Sequence, residues 1–286
     1  MNSITFLYGT RFINLGSSIM RGQQLSDMMS EVINGVSYEP ISDKFEHRIL
    51  FLTKGAIQTS TTAILEKLKS KGNILLFDPL DSTPSYDKMQ FADVIVVASQ
   101  YAYDQYRISH PKKLCCLVDH HVDPRLSNIG PIFNQSLSVG YFGELINTIT
   151  TPSISKQVSF VHVDTSRQSN TWLNQISKHN MHYILRNSES AKGPKPFLKG
   201  FVAAHMDCNM LVHEDQIDAI KWLGKDYPYL IKGPLTEKAV LDKLEYARST
   251  YNTKTWEEGL EITRLIKDKT SNNHVTSQVL SILNLI

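Results

Sequence analysis

The apolar residues of this chain gather in short continuous runs. Each run ends in a polar break and is followed by a stretch whose apolar positions recur every three or four residues. In the first half the runs are Ser3–Tyr8, Ile49–Leu52, Ile74–Phe77, Val94–Ser99 and Leu114–Val118. Runs that are apolar at odd and even positions alike predict strands covered on both faces. Between them, Ile19, Leu25, Met28, Met29, Val32 and Ile33 keep the helical period. Residues 59–71 do the same and stop at Gly72, a residue suited to ending a helix after Lys69 and Lys71. Such alternation predicts a parallel sheet with helices on both faces.

Residues 126–136, LSNIGPIFNQS, are rich in turn formers and interrupt the pattern. A second series then begins. Leu137–Tyr141, Val158–Val163, Met181–Arg186 and Asn209–Val212 predict strands, with a helix around Trp172 and Ile176. From Pro234 onward the chain is helical in pattern, with Leu241, Leu244, Tyr246, Trp256, Leu260, Ile262, Leu265 and Ile266 expected inside. The class is therefore α/β with two Rossmann-like domains, residues 1–130 and 131–286. No internal repeat or low-complexity segment is present.

Composition supports this and narrows the function. A chain of 286 residues with 41% apolar content suits two domains with real cores. Thirty basic against 28 acidic residues leave a formal charge of +2, which argues against coating nucleic acid by bulk charge. Cys115, Cys116 and Cys208 form neither a disulfide framework nor a zinc-ligand pattern, which fits a reducing compartment. No run reaches the ~18 apolar residues of a membrane helix. No export signal opens the chain. The expectation is a cytoplasmic protein, with a peripheral contact at the inner face of a membrane left open.

Ligands of open α/β sheets bind beyond the carboxyl ends of strands, so the polar residues there are the candidates for chemistry. The first run leads through Gly9, Thr10 and Arg11 to Gly16, Ser17 and Ser18 ahead of a helix containing Arg21, a possible anion site without the GxGxxG spacing. Lys54, Asp81 and His120 follow other runs. In the second half, Lys195 and Lys199 are four apart, so on a helix they share a face, while Glu214 and Asp215 follow a strand. Two lysines and two acids at strand ends suit a phosphorylated, hydroxyl-rich ligand. The plain alternative is that these are solvated charges, the usual state of such side chains.

Three stretches resemble the GT-B glycosyltransferases. The first is Gly16–Arg21, like the loop and helix that open their N-terminal domain. The second runs from Phe91–Ser99 to the His120-His-Val-Asp123 that closes it. The third is Lys195-Pro-Phe-Leu-Lys199 through Val212, like the donor-binding helix. The sequence departs there: Val202 stands where a ribose-binding glutamate is common, and Asp207 where a glycine is common.

The resemblance implies two parallel sheets facing a central cleft, an acceptor-side domain over 1–130 and a nucleotide-sugar donor domain over 131–286. It implies transfer of a sugar from a nucleotide-sugar to a glycan, lipid-linked or other hydroxyl acceptor, in surface polysaccharide or glycan synthesis. The nucleotide-sugar is a substrate, so no cofactor and no metal are expected. Arg167, Lys195, Lys199, Glu214 and Asp215 would hold the donor. Arg11, Ser17, Arg21 and Lys54 would line the acceptor side, and Asp81 and His120 would act as base. Closure at a hinge near Gly130 and Pro131 is expected, with either Trp256–Ile266 or Val275–Ile286 crossing back to the first domain.

Two other classes compete. Val118-Asp-His-His121 is similar to the third motif of DHH phosphoesterases, which hold paired metals through oxygen and imidazole ligands. The His and Asp cluster that family needs after its first strand is missing. A non-catalytic nucleotide-sugar-binding protein is the other alternative.

Overall fold

A computed structural model of the chain describes residues 3–130, 135–163, 170–187 and 194–286. The fold divides into two compact units. The first holds the chain up to His121 together with Pro194–Pro196 and Asn272–Ile286; the second holds the rest, from Val122 and again from Phe197 to Ser271.

The first unit is built on six parallel strands: β1 (Ile4–Tyr8), β2 (Val36–Pro40), β3 (Ile49–Leu52), β4 (Ile74–Phe77), β5 (Val94–Val97) and β6 (Leu114–Leu117). Their order is β2-β1-β3-β4-β5-β6. The central strands are the apolar runs of the sequence, buried along their length as at Ile49–Leu52 and Val94–Val97. β2 was not expected. Its sequence, VSYEP, is half-buried at every position because it is the edge strand beside β1, so no apolar run announces it. One sheet face is covered by Leu65, Leu68, Met89, Ala102 and Tyr106, the other by Leu25, Met28 and Met29. The helix expected over 59–71 is Thr62–Ser70, capped by the Thr61 hydroxyl, which accepts from the Ile64 N–H, and a separate helix, Lys54–Thr59, precedes it.

The last helix, Asn272–Leu283, completes this first unit. Val275, Val279 and Ile282 enter the cluster formed by Ile4, Phe6 and Leu25. Their spacing of four and three residues puts them on one helical face. Of the two segments expected to cross back, residues 275–286 therefore do so, whereas Trp256 and Ile266 lie in the core of the second unit. The division also falls at His121 and Val122 rather than at 130 and 131. Val122 and Leu126 already pack into the second core, which moves the change of unit upstream of the turn-rich stretch. Pro131, half of the expected hinge, lies outside the described residues.

The second unit carries β7 (Val139–Gly143), β8 (Val158–His162), β9 (Met181–Tyr183), β10 (Asn209–His213) and β11 (Leu230–Ile231), all parallel, in the order β11-β10-β9-β7-β8. Counted from its own first strand, this order matches that of the first unit. In each sheet the first strand lies between the second and third, so the chain reverses direction across the sheet beside it. Helices Glu237–Ser249 and Lys254–Lys269 finish the unit. Trp256, Leu244 and Ile266 are inside as expected, but Tyr246 and Leu265 are 41% and 64% exposed.

Candidate functional site

In the second unit the direction changes between β7 and β9, and the side chains gathered there define the site. β7 ends at Gly143, whose φ of 152° suits glycine. A Cβ at Gly143 would come within 2.6 Å of the Lys199 ammonium nitrogen. Lys199 lies in the first turn of helix Leu198–His205, which starts at this end of the sheet, and its Nζ is 3.8 Å from the centre of the Tyr141 ring. That is a close cation–π contact on a buried aromatic. The Tyr141 hydroxyl donates to the Glu144 carbonyl at 2.6 Å. Burial pushes its pKa up to about 12, against the pull of the Arg186 guanidinium nearby. Lys199 thus lies over an aromatic ring at the switch point, in the first turn of a helix, and the charge of Arg186, which follows β9, is felt at the same tyrosine.

The local sequence explains the helix start. Phe197 folds its ring back over Gly200, where any Cβ would meet the ring at about 2.1 Å. Its N–H donates to the Asp218 carboxylate at 3.2 Å, which fixes the helix start against the turn after β10. Lys195 precedes this start and is assigned to the first unit with Pro194 and Pro196. The two lysines therefore do not share a helical face; Phe197 begins the helix and Pro196 keeps Lys195 out of it.

Glu214 and Asp215 follow β10 as expected, and both are exposed. Glu214 accepts from the Gly233 N–H at 2.6 Å, and His213 meets the Gly233 carbonyl through Nε2 at 2.7 Å, so this pair ties the ends of β10 and β11 together. Asp215 sits 3.6 Å from His213 Nδ1. Arg167 lies outside the described residues. Arg186 and Tyr141 were not among the residues expected from sequence. The available signal was an arginine directly after an apolar strand whose place in the sheet only the topology reveals.

In the first unit Lys54, Asp81 and His120 follow β3, β4 and β6, so they share the carboxyl end of one sheet. Lys54 and Asp81 form an ion pair at 2.6 Å, each about a quarter exposed. His120 is buried and donates from Nδ1 to the His121 carbonyl at 3.0 Å, which leaves the lone pair on Nε2. Burial, helped by the Arg21 charge, lowers its pKa to about 3, while Asp81 pulls the other way. Arg11 is exposed on the turn after β1, and Ser17 is half-buried. At the switch point between β1 and β3, a Cβ on Gly9 would reach the Gly55 carbonyl at 2.4 Å. Backbone fills that corner, which explains why no dinucleotide fingerprint is present.

Arg21, expected on the acceptor side, is instead a structural clamp. It is 1% exposed, pairs with Asp78 at 2.6 Å and donates to the carbonyls of Val118 and Asp119 at 3.1 and 3.0 Å. It sits in a π-helical turn, Ile19–Gln24, whose wider winding is common at specialised positions. Gln24 meets His121 Nε2 at 3.0 Å, and Gln278 of the last helix both accepts from the Asp119 N–H and donates to its carboxylate, each at 2.8 Å. Three side chains thus hold the segment that leaves β6. His120 and His121 are engaged within this framework, and among the described residues no group of three His, Cys, Asp or Glu side chains is arranged to hold a metal ion. The paired-metal phosphoesterase reading gains no support from them.

Two parallel Rossmann-like sheets in this order define the chain as having the GT-B fold. No protein-family model and no curated protein matches the sequence. The structural relatives are clear nonetheless. The chain is similar to Alr3699/HepE of Anabaena in complex with UDP, with a TM-score of 0.70 at 9% identity over 99% of this chain and 100% of that one. It is similar to a glycosyltransferase from Rickettsia africae, with a TM-score of 0.67 at 9% identity over 98% and 97% of the two chains. The pneumococcal O-GlcNAc transferase GtfA in complex with UDP and GlcNAc matches with a TM-score of 0.58 at 8% identity, covering 91% of this chain and 59% of its own.

Proposed function

We propose that the protein transfers a sugar from a nucleotide-sugar donor to a hydroxyl acceptor. The observation that carries this reading is the Lys199–Tyr141–Arg186 group at the switch point of the second sheet. A departing nucleoside diphosphate needs positive charge fixed against it before the bond breaks, and two cations beside a helix start supply that without a metal motif. The ring holds Lys199 in place, so little reorganisation is needed when charge develops. Glu214 and Asp215 offer acceptors to sugar or ribose hydroxyls, with Arg167 as a further cation. Structural neighbours that carry UDP or UDP-glucose support the same donor class.

On the acceptor side, Asp81 and His120 are the proposed base, with Arg11, Ser17 and Lys54 around them. Because burial and the Arg21 charge make His120 resist protonation, its role in the pair is that of a neutral hydrogen-bond acceptor through Nε2, and the proton goes to Asp81. The setting we propose is glycan or surface-polysaccharide assembly in the cytoplasm, against a lipid-linked or soluble acceptor. Release of nucleotide from UDP-, GDP- and ADP-sugars, followed with and without mixed saccharide acceptors, tests the reading. Release from one donor, with a loss of about 100-fold in Arg186→Ala, is expected. No release from any donor contradicts transfer. Unchanged rates in both Asp81→Asn and His120→Ala place the base elsewhere.

A further inference from the structure

The second unit has another cavity, at the opposite end of its sheet. It lies below β9 and β10, where His179 and Asn180 lead into one strand and Asp207 and Cys208 into the other. Its volume is about 500 Å³. That is within the range of small-molecule sites. Since β10 has five residues rising ~3.3 Å each, the cavity and the switch point are separated by the length of a strand.

We infer that this cavity binds a neutral saccharide, one or two residues of a glycan, independently of the nucleotide site. The chemistry of its wall selects that class. The half-buried Tyr251 ring gives the cavity an aromatic floor, backed edge-on by the buried Trp256 with ring centres 4.8 Å apart. Around it stand the carboxylates of Asp207 and Glu257, acceptors that engage neighbouring sugar hydroxyls, while Asn180, whose amide is taken up by Ser136, Ser138 and Tyr251, holds the Tyr251 ring in place. They are already positioned. Asn180 donates to the Tyr251 hydroxyl at 2.9 Å, Asp207 lies 3.4 Å from Lys267, and Arg264 donates to Glu257. A ligand meeting such fixed partners loses less freedom on binding.

Charge excludes the alternatives. Each cation around the wall already faces a carboxylate: Lys267 meets Asp207, Arg264 meets Glu257 and Lys254 lies 3.7 Å from Glu258, so the wall is balanced. A nucleotide or phosphate would leave its own charge uncompensated. A purely apolar ligand would strip water from ionised groups without replacing it. A polyhydroxylated, uncharged ring with one apolar face satisfies the hydroxyl partners and the aromatic floor together.

The test uses the full chain and three probes: maltotriose, triacetylchitotriose and xylotriose. Saturation-transfer NMR and calorimetry are run on the wild type, on Glu257→Ala and on Glu257→Trp, which fills the cavity from an exposed helical position. Binding of one trisaccharide is expected, weakened at least tenfold by E257W and several-fold by E257A, with an unchanged melting temperature. Nucleoside diphosphate affinity should not change in either variant, which separates this site from the donor reading. Failure of all three probes to bind overturns the inference. So does binding that survives E257W undiminished.

Discussion

At the scale of single residues, Arg21 shows how a polar side chain becomes part of a core. Nε and Nη1 of its guanidinium serve one carboxylate and two carbonyls, all fixed by the ends of β4 and β6, while Nη2 is buried with no partner among the described residues. Burial pushes the Asp78 carboxyl up, and the adjacent guanidinium pulls it back. Removing one partner leaves the other buried and unpaired. Arg21→Leu should therefore cost about 3–5 kcal/mol in urea unfolding of the first unit. Arg21→Lys should recover only part of this, because a lysine cannot serve three acceptors in that fork. A loss below about 1 kcal/mol in Arg21→Leu would contradict the clamp. Here the sequence was misleading: an arginine one turn into a helix after a Gly-Ser loop has the pattern of an anion site. Only the crossing of β4, β6 and this helix shows where its charge goes. Arg186 is the converse case, an arginine that no spacing marks and that follows β9, the strand next to the one that carries Tyr141.

Elements were more legible than residues, for a physical reason. Strands covered on two faces must be apolar throughout, so β3, β4, β5 and β10 stand out in the sequence. The edge strand β2 needs only half-burial and hides among polar residues. The four-residue spacing of Lys195 and Lys199 suggests a shared helical face, but Pro196 keeps Lys195 outside the helix that begins after Phe197. The last helix was readable as amphipathic, but its partner was not, since nothing local in Val275, Val279 and Ile282 specifies Ile4 and Phe6. Those three side chains bury about 1.5–3 kcal/mol each. Their sum approaches the whole stability of an ordinary domain, about 5–15 kcal/mol. Deleting residues 275–286 should leave the first unit unfolded or molten, seen as lost near-UV circular dichroism with dye-binding apolar surface. A truncated chain with an intact cooperative transition would show that the helix is not a core element.

For the whole molecule, the chain passes between units more than once, and the first unit is assembled from both ends of the sequence. The two units also share a pH liability. Burial lowers the pKa of His120 in the first unit and His182 in the second to about 3, and lowers those of His121, His179 and His205 as well. In the unfolded chain these imidazoles titrate near 6.5. As pH falls below 6.5 the unfolded state takes up protons that the folded state refuses. Stability is therefore full above that value and is lost toward pH 3, by up to about 1.4 kcal/mol per pH unit for each histidine. Asp27 and Asp78, raised by burial, act in the opposite sense, two groups against the five histidines. Urea midpoints should fall clearly between pH 7.5 and 5.5; equal midpoints would contradict this account.

The central claim is that the carboxyl end of the second sheet binds a nucleoside diphosphate through Lys199. Thermal shift with UDP, GDP, ADP, CDP and dTDP on the wild type and on Lys199→Ala measures it most directly. One nucleotide should raise the melting temperature of the wild type by several degrees, and that gain should vanish in Lys199→Ala while its ligand-free melting temperature stays within about 2 °C. No stabilisation by any of the five, or an equal shift in the variant, would contradict the claim.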